Sequence, residues 1–145
     1  MKTTIYFVVA ILYLAINVLS CNTAPEPLKV GTDNCYFCKM TISDDRFGAE
    51  IVTTKGKIYK FDDIHCILAY LKTNDLLEAN IKSIYLTNFL DNHQLLNTKN
   101  LYLLKSESLH SPMNGNVAAF ENLDSLKLTQ QKFIGEQISW DEIKK

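Results

Sequence analysis

The chain opens on an apolar run that stops at a cysteine, and this decides how much of it is left to fold. Lys2 is followed by residues 5–20, almost unbroken apolar sequence interrupted by Tyr6, Tyr13 and Asn17. A charged start followed by an apolar stretch is the layout of a secretory signal. Val18-Leu19-Ser20-Cys21 resembles a bacterial lipobox, with a small residue before the cysteine, and a plain signal-peptidase site would need no cysteine there. Residues 1–20 are therefore read as a cleaved signal peptide, and Cys21 as the lipidated first residue of the mature chain. Residues 21–31, polar and Pro-containing, are read as a lipid-anchored linker. The competing reading is a retained anchor, since a run of about 17 apolar residues can just span a bilayer. Residues 32–145 remain as one domain with a modest core. It is expected lipid-anchored at the cell membrane or outer membrane, on the side away from the cytoplasm.

Charge narrows the class of partner. The chain carries 15 Lys and Arg against 16 Asp and Glu, and loss of the leader removes only Lys2. Arg46 is the single arginine, and no basic stripe exists. Phosphate contacts need clustered positive charge, so no nucleic-acid partner is expected. Beyond Cys21 only Cys35, Cys38 and Cys66 remain. A disulfide scaffold would pair its cysteines completely; three thiols in an exported chain point to a site instead.

The hydrophobic pattern predicts an α+β fold. Residues 49–54 are rich in β-branched residues and read as a strand, Lys55-Gly56 as a tight turn, and residues 57–61 as the returning strand. Asp62 is expected to cap a helix running to about Leu71, with Ile64, Ile67, Leu68 and Leu71 on one face. Residues 81–87 make a further strand. A similar order recurs: strand at 101–104, turn at 114–116, strand at 117–120, helix at about 122–131, closing strand at 137–140. Phe61-Asp62-Asp63-Ile64 aligns with Phe120-Glu121-Asn122-Leu123. Two similar ββαβ units, about 45–90 and 95–145, are expected to pack as one small domain.

The chemistry concentrates in Asp33-Asn34-Cys35-Tyr36-Phe37-Cys38-Lys39-Met40. A C-x-x-C pair can share one metal or close a redox disulfide. A structural zinc site would need a second pair of ligands at matching spacing, and a thioredoxin-like motif would follow a strand and open a helix; neither context is present. Met40 tips the balance, because thiolate with thioether is a soft donor set that favours Cu(I). In an extended segment Cys38 and Met40 would share a side. Met113 lies in the loop His110-Ser111-Pro112-Met113-Asn114-Gly115, where a core role has weaker reason than on a helix face. The expected ligands are Cys38, Met40 and Met113, with Cys35 or His110 as the auxiliary donor. Cys66 lies roughly opposite the apolar helix stripe and is read as a half-buried structural thiol. A second class of function uses Cys35 and Cys38 as a membrane-tethered thiol-disulfide oxidoreductase.

Three ordered segments carry a family resemblance. Cys35-Tyr36-Phe37-Cys38-Lys39-Met40, then Tyr59-Lys60-Phe61-Asp62-Asp63-Ile64-His65-Cys66, then Ser111-Pro112-Met113 with Ala119-Phe120, resemble the successive signatures of the NosL family. These are lipoprotein accessory proteins of nitrous oxide reductase. The resemblance implies a periplasm-facing, membrane-anchored Cu(I) chaperone, not an enzyme, built from two ββαβ modules. Its implied partners are nitrous oxide reductase as client and an ABC-type maturation complex. The chain departs from the family where Lys39 and Asn114 stand, since glycine is usual at both positions.

Overall fold

A computed structural model describes residues 24–73 and 75–145. The readings of the signal peptide and of Cys21 fall outside those residues. No helix among the described residues is long and apolar enough to cross a membrane.

Two small sheets carry the architecture. In the first, β1 (Ala49–Thr53), β2 (Ile58–Phe61), β3 (Ile81–Thr87) and β4 (Leu95–Asn97) are antiparallel in the order β2-β1-β3-β4. In the second, β5 (Tyr102–Lys105), β6 (Val117–Phe120) and β7 (Glu136–Ile138) take the order β6-β5-β7. Helix α1 (Ile64–Lys72) follows β2, and helix α2 (Leu123–Lys132) follows β6. Each unit is thus hairpin, helix and a third strand returning to pair with the first, the ββαβ repeat read from the sequence. The register agrees in detail: Ala49 faces Phe61 in one hairpin and Tyr102 faces Phe120 in the other.

Alternation decides which side of each strand is covered. Leu103, Val117 and Ala119 point into a core shared with Ala49, Ile51, Tyr59, Phe61, Ile64 and Ile67 of the first unit. Their neighbours Leu104, Ala118 and Phe120 point the other way, into a smaller core with Phe89 and with Leu126 of α2. A strand buried on both faces needs the continuous apolar run Val117-Ala118-Ala119-Phe120, and its two alanines let neighbouring layers approach. A parallel bridge from Asn88 to Ala119 and the bond from Phe89 N–H to the Ala119 carbonyl at 2.8 Å tie the units together.

Several expected boundaries move, each for a local reason. The cap of α1 is Asp63, whose side chain accepts from His65 N–H, while the Asp62 carboxylate turns back to accept from Ser43 N–H at 2.9 Å. The expected closing strand at 137–140 stops at Ile138. Ser139 and Glu142 form a reciprocal capping box there, so Trp140 starts helix α3 (Trp140–Lys144) instead of ending a strand. β4 was not expected at all. It falls after the first unit in sequence yet extends that unit's sheet beside β3.

From Glu26 the chain is fastened to the outer face of the first sheet. Glu26 N–H donates to the buried Glu50 carboxylate at 3.1 Å. Lys60 Nζ donates to Asp33 Oδ2 at 2.8 Å and to the Pro27 carbonyl at 3.3 Å. Burial is the chief reason that the Glu50 carboxyl is pushed up to about 7.

Candidate metal centre

The C-x-x-C segment is a turn laid along the free edge of β2. Asn34 bridges Thr41, Cys35 N–H donates to the Met40 carbonyl at 2.8 Å, and Lys39 N–H donates to the Cys35 carbonyl at 3.0 Å. Tyr36 N–H donates to the Lys60 carbonyl at 2.7 Å, which adds the turn to the sheet. Closing so tight a loop puts Lys39 at φ 65. Asn114, in the second loop, has φ 59. Both positions where the family resemblance leads one to expect glycine therefore require the left-handed region, which a side chain disfavours and asparagine tolerates best. The turn also separates Cys38 from Met40. Cys38 packs against the core, whereas Met40 is 55% exposed. The extended geometry that would have placed both sulfurs on one side is absent.

Helix α1 supplies the third thiol. Its buried side holds Ile64, Cys66, Ile67 and Tyr70, with Leu68 and Leu71 only partly covered. The buried arc is therefore rotated from the expected stripe, and Cys66 lies within it at 0% exposure. The rotation follows from the Cys35 turn, which covers the helix flank that a helix on an open sheet would leave to solvent. The sulfurs of Cys35, Cys38 and Cys66 all lie within 4.8 Å of one another, and no disulfide joins them.

The three thiols have unequal proton affinities. The Cys66 thiol donates to the Cys35 sulfur, and the backbone N–H groups of Asp62 and Cys38 also support it. Against the opposing cost of burial, these bring Cys35 down to about 5. Cys66 is pushed up because its proton is held in the bond to Cys35, and burial adds to this. Burial is the main reason that Cys38 is raised. The lowered proton affinity thus falls on Cys35, at the centre of a concentrated soft donor set.

An aromatic wall flanks the trio. Tyr36 stacks edge-on to Tyr59 at 4.5 Å and to Tyr70 at 5.3 Å. Lys39 Nζ lies 4.3 Å from the Tyr36 ring centre and Lys57 Nζ 4.5 Å from that of Tyr59. Tyr36, Phe37 and Met40 are all exposed around the mouth of the turn.

Of the expected donors, the structure brings Cys35 and Cys38 together and adds Cys66. Met113 packs, partly buried, against the core cluster that contains Cys35 and Cys66. His110 is exposed, with φ 48 at the end of the short 3₁₀ turn Glu107–Leu109, and stands outside the thiol group. His65 is exposed on α1. The sign that could have drawn Cys66 in was its position three residues after the Asp63 cap, a helix start facing the preceding hairpin.

Three thiols at this spacing can share one metal. Sulfurs each about 2.3 Å from a common ion stand about 4 Å apart, so small side-chain movements close the trio on it. The NosL family model matches residues 28–145. The crystal structure of the copper chaperone NosL from Shewanella denitrificans has a similar fold, with a TM-score of 0.68 at 17% identity over 83% of this chain and 95% of that one. No curated relative matches the chain.

Proposed function

The chain belongs to the NosL family, and on that premise we propose that it is a Cu(I) chaperone. In this reading it is anchored through Cys21 on the periplasmic side of a membrane and delivers copper for the maturation of nitrous oxide reductase, with an ABC-type complex as a further partner. Its role is binding and hand-over, not catalysis.

The single observation that carries the reading is the thiol trio with one open edge. Cys35 and Cys66 are fully buried and Cys38 only partly so. An ion held there is bound by soft sulfur donors that favour Cu(I) over harder cations. A recipient can still approach from the Cys38 side, where the exposed Met40 of the same turn offers a thioether for exchange. A closed four-thiolate cage would hold the ion without leaving a place for a partner's ligand. Displacement of thiol protons accompanies loading, since the sulfurs bind as thiolates.

The oxidoreductase alternative fares worse on the same geometry. A reactive thiol in such an enzyme combines lowered proton affinity with exposure. Here these properties are split, because Cys35 has the lowered affinity and is buried, while Cys38 is reachable and raised.

The test is competition for metal by the mature protein purified in detergent under reducing conditions. About one Cu(I) should be taken from a chelator in preference to Zn(II). Tighter zinc binding with no Cu(I) uptake would overturn the reading. The client is tested separately: nitrous oxide reductase from cells lacking this chain should carry less copper than that from wild-type cells. Intact-mass analysis of the mature chain should find a diacylated Cys21, and retention of Lys2 would remove the anchor from the account.

A further inference from the structure

We propose that Asp63 is a positioning residue for copper, holding Met113 beside the thiol trio through a clasp between the two units. The inference rests on the copper-binding reading above and adds to it a residue that is not itself a ligand.

Asp63 is fully buried, and four donors converge on its carboxylate. Oδ1 accepts from His65 N–H at 2.7 Å, which caps the helix carrying Cys66. Oδ2 accepts from the Ser111 hydroxyl, from Met113 N–H at 2.9 Å and from Gly115 N–H at 3.4 Å. Those three donors come from one loop of the second unit, about 50 residues away in sequence. One side chain therefore fixes the start of the Cys66 helix and the backbone of Met113 at once.

The loop is shaped to be held this way. Asn116 N–H donates to Ser111 Oγ at 2.8 Å, and Ser111 N–H donates to Asn116 Oδ1 at 3.0 Å, closing the loop on itself. Gly115 is required by proximity. A Cβ there would stand 2.1 Å from Asp63 Oδ1 and 2.6 Å from Ile64 Cγ2. Any other residue would push the loop off the helix end. The methionine side chain is flexible, with three rotatable bonds, so its sulfur stays near one point only if its backbone is fixed. The bond from Met113 N–H to Asp63 supplies that fixation, and from there the side chain packs against the cluster holding Cys35 and Cys66. A buried carboxylate suits the task because charge-assisted bonds are stronger than neutral ones. The same position in the second unit carries Asn122, which is exposed and caps its helix by accepting from Ser125 N–H at 2.9 Å.

The experiment is a double-mutant cycle on the detergent-purified mature protein, read as Cu(I) affinity by chelator competition. Asn caps helices about as well as Asp, so Asp63→Asn keeps the start of the Cys66 helix. It offers an amide where three N–H and O–H donors need an acceptor. Residues that orient metal ligands typically cost about 10–100-fold in affinity when changed. Asp63→Asn is expected to weaken Cu(I) binding by about tenfold or more, matching Met113→Leu. The double variant should be no weaker than the stronger single, because both changes remove the same sulfur. Ser111→Ala, which removes one of the three donors, should show a smaller loss in the same direction and guards against a poorly folded Asp63→Asn. Met113→Leu weakened with Asp63→Asn and Ser111→Ala at wild-type affinity would overturn the clasp and leave the copper reading intact. Additive losses in the double variant would overturn it equally. Wild-type affinity in Met113→Leu would remove Met113 from the site and the clasp with it.

Discussion

The two ββαβ units invite a position-by-position comparison. In the first, Tyr36 N–H adds to the edge of β2 at Lys60; in the second, Phe89 N–H adds to the edge of β6 at Ala119. Lys60 and Ala119 are equivalent, each standing one residue before the phenylalanine that ends its strand. One residue before the added N–H stands Cys35 in one unit and Asn88 in the other, both buried. Three residues into the helix from its cap stand Cys66 and Ser125. Next to these, Ile67 and Leu126 are fully buried in both units. The scaffold is thus shared down to the edge bond, and the chemistry is not. Where the first unit pairs two thiols, the second has an amide whose side-chain oxygen is buried without a hydrogen-bond partner among the described residues. The fold brings an edge turn against a helix start twice, and the residues at two equivalent positions decide whether that corner becomes a metal centre.

Converting the first unit toward the second should have the largest effect. Cys66→Ser installs the residue the second unit carries at the equivalent position. It removes one thiolate donor outright, so Cu(I) affinity should fall by about a thousandfold, beyond the 10–100-fold typical of residues that only orient ligands. Cys66→Ala, which also leaves no donor to Cys35, should in addition raise that thiol's proton affinity from about 5, as followed by thiolate absorbance. A variant with near wild-type affinity would make Cys66 a structural thiol after all.

Damage to the second unit's core should separate stability from binding. Leu126→Ala empties a fully buried site beneath the smaller core and is expected to cost about 3 kcal/mol in denaturant unfolding. Copper affinity of the folded variant should be unchanged, because Leu126 touches none of the sulfur-bearing cluster. Equal losses in both measurements would mean that the units do not divide the work.

A pH effect should be specific to the first unit's outer face. Glu50 titrates near 4.3 in an unfolded chain and is pushed up to about 7 by burial. The folded state then binds the proton more tightly, so this group's contribution to stability falls as pH rises from about 4.3 to about 7. Glu50→Gln should flatten that part of the stability curve. A wild-type curve that rises through this window and is unchanged by the substitution would show that Glu50 is ionised in the folded state.

The smallest effect concerns the strained turn. Lys39→Gly relieves a left-handed residue and should stabilise the protein by under about 1 kcal/mol, with copper affinity kept. The side chain's bond to the Tyr36 carbonyl and its place over the Tyr36 ring are lost, which limits the gain. A lower melting temperature would mean that those contacts outweigh the strain.

Much of the fold was legible because it rests on short-range pattern. The hairpin of β1 and β2, strand β6 and helices α1 and α2 are written in alternation, turn residues and caps, and the repeat is visible in Phe61-Asp62-Asp63 against Phe120-Glu121-Asn122. β4 and α3 were missed for lack of such signals: Leu95–Asn97 is three residues without alternation, and the Ser139–Glu142 capping box sits where an apolar Ile and Trp suggested a strand. The site was legible in its chemistry but not in its membership. The soft donors of C-x-x-C and the two methionines can be seen locally, whereas Cys66 joins Cys35 only through tertiary packing of helix on edge turn. Helical periodicity ranks faces by a single contact surface. It could not anticipate a helix buried on two sides.

The most direct test of the central claim is copper K-edge X-ray absorption on the Cu(I)-loaded protein, wild type beside Cys66→Ser. The account predicts a shell of at least three sulfurs at about 2.3 Å, losing one sulfur in the variant. A shell dominated by nitrogen or oxygen, or one that Cys66→Ser leaves unchanged, would contradict it.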